Sequence, residues 1–299
     1  MKIHVTGAHG YLGQHISENL QRSHAVTMSD VTGDSYNNLS NTDELDVVDK
    51  DAVIKQFRSD KPDVVIHLAG LMGAQKSKTD LHKLFSVNTI GTLNVLEAAH
   101  LAGTKNIIFF SSQTVHGSHD NNQLNRWEET DSFTPEHPYA TSKVLSEYII
   151  REYCKHNQMR AVILRPAIVV GNLEGEPNAL NEFTENAYRD EPIVIYGKGD
   201  HRRQYISVGD LIRAVDEAIW YLEGSDKSSL CEPFLIAAND ISMSELAERS
   251  GGTVEYVEKT GQAFSLTSVS DKANKVLGWT ALDNIEDMIK QVRSQLDNQ

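Results

Sequence analysis

Apolar residues along this chain fall into short β-branched runs separated by longer stretches of helical period. Lys2-Ile3-His4-Val5-Thr6, 25–29, 63–68, 106–111, 160–165 and 233–237 have the composition of buried strands. Residues 11–21, 50–59, 81–102, 138–157 and 209–223 carry apolar positions at the 3.6-residue spacing of amphipathic helices. Strands alternating with helices imply right-handed crossovers. The pattern therefore predicts an α/β fold built on a doubly wound parallel sheet of Rossmann type. No repeat or low-complexity tract interrupts it.

Past Gly171 the texture changes. Gly, Asn and Pro crowd residues 171–177, followed by a helical run at 178–190, a strand at 192–196 and the turn Gly197-Lys198-Gly199-Asp200. Residues 243–299 predict a helix at 243–249, a strand at 253–257 and a terminal helix near 282–296. The expected organisation is a dinucleotide-binding domain over 1–170, with return segments at about 209–237. A smaller substrate lobe, formed by 171–208 and 238–299, closes over the carboxyl edge of the sheet, where open α/β folds bind ligands.

Composition narrows the choice of partner. With 28 Lys and Arg against 42 Asp and Glu, the 299-residue chain carries a net charge of −14. Such a surface repels nucleic acid and anionic membranes, so an anionic small molecule must be held by local donors. No signal-peptide pattern or apolar run of transmembrane length stands out, and two cysteines make no framework; a cytoplasmic location is expected. The 12 histidines are scattered without ligand spacing, and no metal site is expected.

Candidate chemistry begins at the first strand. Gly7-Ala8-His9-Gly10-Tyr11-Leu12-Gly13 follows it directly and leads into a helix. In such a turn the first glycine permits the bend, the second lets backbone approach a pyrophosphate, and the third lets helix pack on strand. The second strand runs into Asp30, 17 residues beyond Gly13, where a carboxylate can accept from an adenosine ribose. No Lys or Arg follows before Lys50 to neutralise a 2′-phosphate, which favours NAD over NADP. Further on, Tyr139 and Lys143 stand four residues apart after a helix-starting Pro138, on one helical face. A nearby ammonium favours the phenolate, which suits Tyr139 to proton transfer.

In their order these segments resemble the extended short-chain dehydrogenase/reductase family, in its sugar-nucleotide epimerase/dehydratase branch. Thr6 to Gly13 resembles TGxxGxxG. Leu45-Asp46-Val47-Val48-Asp49 stands where a carboxylate and following backbone hold adenine. His67-Leu68-Ala69-Gly70-Leu71 resembles the cofactor-lining loop, most closely the version in UDP-galactose 4-epimerases. Residues 87–99, 111–117, 139–143 and 271–279 match further family segments. The resemblance implies an NAD site formed by Gly7, Gly10, Tyr11, Leu12, Gly13, Asp30, Asp46, Val47, Leu68, Ala69, Gly70, Asn88, Tyr139, Lys143 and Pro166. It implies catalysis by Ser112, which orients a substrate oxygen, by Tyr139 as acid/base and by Lys143. Ser112, Gln113 and Arg203 are the implied substrate contacts, Arg203 through a nucleotide diphosphate that its planar guanidinium suits.

Departures from the family pattern bear on the substrate. Ile168 stands where many members carry Asn three residues before the glycine that is here Gly171. In Glu258-Lys259-Thr260-Gly261-Gln262 only Lys259 can replace a second phosphate-binding Arg. Thr114 follows Ser112 and Gln113 without the Asp-Glu pair of dehydratases, and His116 replaces the usual Tyr. Dehydration is disfavoured. The leading reading is 4-epimerisation of a nucleotide sugar through a transient 4-keto sugar, with hydride passing to and from NAD. An NAD-dependent dehydrogenase or ketoreductase acting on a sugar, sugar acid or other secondary alcohol is the alternative. A catalytically silent NAD-binding scaffold is the third reading, which intact Ser112, Tyr139 and Lys143 oppose. Resemblance also implies a homodimer through helices 81–102 and 138–157, to which Ile149, Ile150 and Tyr153 could contribute an apolar stripe.

Overall fold

The computed structural model describes residues 1–31, 41–72, 80–120, 126–171, 177–258 and 264–298. Seven strands form its central sheet, in the order Leu230–Ile236, Arg160–Pro166, Asn106–Phe110, Val64–His67, Lys2–Thr6, Ala25–Asp30 and Thr42–Glu44. Every pairing is parallel. The strand order reverses between Lys2–Thr6 and Val64–His67, the switch point at which doubly wound sheets bind ligands.

Alternation along the strands builds two cores, because successive side chains face opposite ways. Val65, Ile107, Phe109, Ala161 and Ile163 pack against Val53, Phe57, Leu96, Ala99, Ile150 and Cys154. Those partners come from helices Lys50–Asp60, Gly91–Ala102 and Pro138–Asn157. On the other face Ile3, Val5, Val64, Ile66, Ile108 and Leu164 meet Ile16 and Leu20 of helix Tyr11–Leu20, together with Leu211, Val215 and Leu222 of helix Val208–Glu223.

Chain after Pro166 builds separate small sheets. Arg202–Ser207 pairs in parallel with Ile168–Val170 and antiparallel to Asp240–Ser242, and Ile193–Tyr196 pairs with Val254–Val257. A third core, with Leu180, Phe183, Ile193, Tyr205, Leu246, Met288 and Val292, lies under helices Ala179–Tyr188, Met243–Ser250 and Ile285–Leu296. Between these pieces Leu230–Ile236 returns to the edge of the central sheet beside Arg160–Pro166. This edge strand starts three residues before the run at 233–237: Glu232 and Pro233 interrupt the pattern, and proline is tolerated on an edge strand.

Helical residues 81–102 are continuous but not uniform. Leu81–Phe85 is α-helical, Ser86–Ile90 forms a π-helical turn, and Gly91–Ala102 is α-helical again. Such single π turns concentrate at functional sites. Asn88 lies at the centre of this one.

Candidate active site

The glycine loop closes at the carboxyl end of Lys2–Thr6. Gly7 adopts φ 75°, and a Cβ there would come within 2.5 Å of Ala69 N. A Cβ on Gly13 would meet the Gly7 carbonyl and lie 2.8 Å from Ala8 Cα, so only glycine lets this helix seat on the strand. Gly10 is less crowded, though a Cβ there would still lie a close 3.3 Å from the Gly7 oxygen. It caps helix Tyr11–Leu20 without a side-chain hydrogen bond, which leaves the positive end of the helix to an anion. Beside it Leu12 packs on the core that holds Ile3, Val5 and Ile16, and the Tyr11 hydroxyl lies against Gly171.

Asp30 reaches the same loop. One carboxylate oxygen accepts the His9 N–H at 2.8 Å and the other accepts Val31 N–H at 2.7 Å. Each oxygen keeps a lone pair for a ribose hydroxyl. Asp46 accepts Val48 N–H at 2.9 Å in an Asx turn, and Asn94 fixes that turn by donating to the carbonyls of Val47 and Val48. Buried Val47 lies so close to Gly91 that a Cβ there would come within 2.6 Å of it. A helix start at Gly10 without a side-chain cap and a carboxylate at Asp30 fit a dinucleotide whose ribose is not phosphorylated.

Tyr139 and Lys143 stand on helix Pro138–Asn157, with Lys143 Nζ beside Gly70. Lys143 is buried; its Nζ donates to the Phe110 carbonyl at 2.8 Å and lies 4.8 Å from the Phe109 ring centroid and 5.7 Å from that of Tyr139. Burial lowers the Lys143 pKa to about 8, with Glu147 pulling the other way. Gly70 leaves room here, since a Cβ on it would lie 3.3 Å from Asn88 Oδ1 and 3.4 Å from Lys143 Nζ. Asn88 accepts Leu71 N–H at 2.7 Å and donates to Leu71 O at 3.0 Å and to Ser142 Oγ at 2.9 Å. One side chain of the π turn thus ties the cofactor-side loop to the helix that carries Tyr139 and Lys143.

Ser112 caps the 3₁₀ turn Gln113–His116. Its oxygen accepts Thr114 N–H at 3.2 Å and the Thr114 hydroxyl at 2.9 Å. With both lone pairs engaged, the Ser112 O–H is left as a donor. A capping turn and a catalytic orientation are therefore compatible at this residue. Its neighbour Ser111 is committed elsewhere, donating to Glu147 Oε1 at 2.6 Å.

A family model for the NAD dependent epimerase/dehydratase family matches residues 3–228. The chain belongs to that family. It is 29% identical to a UDP-glucose 4-epimerase of Erwinia amylovora, over 97% of this chain and 96% of that protein. Among solved structures, the UDP-glucose 4-epimerase of Thermotoga maritima with UDP-glucose has a TM-score of 0.84 at 25% identity, covering 100% of this chain and 99% of the other. That of Thermus thermophilus, in complex with NAD, has a TM-score of 0.80 at 25% identity, covering 98% and 99%. The family's cofactor is NAD, in keeping with Gly10 and Asp30 as this chain arranges them.

Within this epimerase-family site, a buried ionic network backs the serine turn and did not figure among the sequence candidates. Arg165 donates to both oxygens of Glu147, at 2.9 and 2.7 Å, and to His116 Nε2 at 2.9 Å and Glu129 O at 3.1 Å. Both partners of the ion pair are 1% exposed. Burial and the adjacent Arg165 lower the His116 pKa to about 4, so a neutral imidazole accepts from the guanidinium. His67 is likewise held neutral, its pKa near 3 through burial and Lys143, while it bonds the hydroxyls of Thr6 and Thr92. The signal for this network was present: an Arg inside an apolar strand demands a partner.

Three expected contacts read differently in place. Gln113 is 2% exposed, and its Oε1 accepts from Ser268 Oγ at 3.0 Å, while Ser268 N–H donates to Gln204. Through Ser268 this bond ties the serine turn to the strand Arg202–Ser207. Arg203 donates through Nη1 to the carbonyls of Arg202 and Phe264, at 2.9 and 2.7 Å, beside the exposed Glu136. Its other guanidinium nitrogens are what a phosphate would need. Pro166 ends its strand in register with Ile236. Lys259 lies outside the described residues.

Proposed function

We propose that this chain is an NAD-dependent epimerase of a nucleotide sugar, inverting C4 through a transient 4-keto sugar. What carries the reading is the buried Lys143 ammonium, 5.7 Å from the Tyr139 ring and next to Gly70 and Asn88, with the Ser112 hydroxyl left as a donor. NAD supplies the hydride acceptor and donor at this place. Gly7, Gly10 and Gly13 hold its pyrophosphate against the helix start, and Asp30 holds the adenosine ribose.

Tyr139 takes the proton of the sugar hydroxyl, and Ser112 orients the same oxygen. Lys143 stabilises the phenolate and holds a ribose hydroxyl. When the sugar presents its other face, Tyr139 returns the proton. The lobe built from residues 171–208 and 238–299 covers the sugar, with Arg203 toward the diphosphate. The similarity over whole chains to UDP-glucose 4-epimerases supports a uridine nucleotide as the carrier. We further propose a cytoplasmic homodimer; no described helix is long and apolar enough to cross a membrane.

The test is direct. Purified protein should carry bound NAD and interconvert one pair in a panel of UDP-, dTDP-, GDP- and CDP-sugars with no net gain at the NADH absorbance band. Steady accumulation of NADH would instead make it a dehydrogenase. Tyr139→Phe should lower the rate at least about 10²-fold; turnover near that of the parent removes Tyr139 from the chemistry.

A further inference from the structure

The helix that carries Tyr139 and Lys143 starts on an imidazole. His137, in extended backbone at φ −149°, accepts the Ala140 N–H at Nδ1, at 3.2 Å. Helix caps are ordinarily Ser, Thr, Asp or Asn, whose oxygens accept throughout the neutral pH range. An imidazole nitrogen accepts only while it carries no proton, so the capped state fixes the neutral ring with hydrogen on Nε2. The same ring lies parallel to the Tyr139 phenol, with centroids 6.0 Å apart and planes 11° from each other, an offset stack.

Two influences oppose a charge on this ring. Burial lowers the His137 pKa below its ordinary value, and the positive end of the helix adds to that. Glu136 pulls the other way; its carboxylate accepts from the Ser118 N–H at 3.1 Å and hydroxyl at 2.6 Å.

We propose that His137 is the positioning residue for Tyr139: one neutral imidazole closes the first turn of the helix and braces the phenol, and protonating it releases both. The proposal rests on the assignment of Tyr139 as acid/base. The sign of its pH dependence follows. Because folding holds the pKa of His137 down, its contribution is complete above the unfolded-chain value of about 6.5 and is lost as pH falls from there through the folded value.

Two variants separate the functions. His137→Asn keeps a capping oxygen and removes the ring, whereas His137→Phe keeps a ring and removes the acceptor. In the parent protein, ¹⁵N NMR of labelled histidine should show His137 with Nδ1 unprotonated at pH 7.5. The Tyr139 ring resonances should move in His137→Asn, and the Tm advantage of parent over His137→Phe should shrink between pH 7 and pH 5. In turnover of a nucleotide sugar, one pH unit below the parent's acid midpoint, His137→Asn should retain about tenfold more of its own plateau rate, one decade per unit of an unshared protonation. A protonated Nδ1, unmoved Tyr139 resonances, or superimposable acid limbs would overturn the proposal. Should Tyr139→Phe turn over normally, the acid–base assignment fails instead, and the imidazole, ring and Tm measurements still judge the cap and the stack.

Discussion

At the scale of single residues, selectivity for the coenzyme turns on Asp30. Its carboxylate is held by two backbone donors, His9 N–H and Val31 N–H, and stands at the end of Ala25–Asp30. A 2′-phosphate placed there would meet a fixed negative charge. Asp30→Ala removes that repulsion and one ribose acceptor together, so NAD should bind more weakly and NADP no worse. The ratio of the two dissociation constants is expected to fall about tenfold or more, roughly 1.4 kcal/mol; an unchanged ratio rejects the ribose assignment. Asp30, the glycines and the Tyr139–Lys143 pair were legible in the sequence because each acts through local spacing, a turn or one helical face. Arg165, an Arg within an apolar strand, signalled the need for a partner, but Glu147 and His116 as its partners were not legible, because that meeting joins a helix, a strand and a loop. His137 is intermediate: it stood beside Pro138 in plain view, but a histidine cap carries no sequence signature.

At the scale of elements, helix Pro138–Asn157 matched its apolar period from end to end, since proline starts it and Gln158, in left-handed conformation, ends it. The π turn at Ser86–Ile90 left no trace in that period, because one wide turn only slides the pattern. Strand Arg202–Ser207 was missed because its first three residues are polar, and Thr42–Glu44 because it is short and exposed. Beside its apolar packing and the Lys143 bond to Phe110, helix Pro138–Asn157 is joined to the sheet by the Glu147–Arg165 pair. Lone removal of either partner leaves a buried charge, which costs about 3–5 kcal/mol, whereas replacing both with apolar groups of similar size can be close to neutral. Arg165→Met alone should therefore lower unfolding stability by that amount, and Arg165→Met with Glu147→Leu should recover much of it. Urea unfolding of the single and double variants checks this; equal losses in both would mean that packing, not charge, is what the pair supplies. Ser111, which donates to Glu147, sits next to Ser112, so the single variant should also loosen the serine turn and depress turnover.

At the scale of the molecule, the two helical segments that bury Asn88 and Lys143 leave their opposite faces uncovered. Ile90 and Leu101 on one, and Leu145 and Tyr148 on the other, are between 42% and 51% exposed. Ile90 and Leu101 are spaced three turns apart along their helical segment, and Leu145 and Tyr148 three residues apart, so each pair follows one face. Ile149 and Tyr153, the stripe suggested by the sequence, turn partly inward onto the core with Ile150. An apolar strip on a chain of charge −14 is a poor surface to leave in water, and the homodimer proposed above would lay the same strip of a second copy against it in a two-fold interface. Leu145→Glu with Tyr148→Glu should place like charges at the centre of that interface. Light scattering should then find the 33.3 kDa monomer where the parent gives twice that mass. A parent that scatters as a monomer removes the dimer outright. If the double variant is monomeric and folded, its turnover should fall as well, because the same helices hold Asn88 and Lys143 in register from their inner faces, and in the proposed dimer a partner would stiffen them from outside.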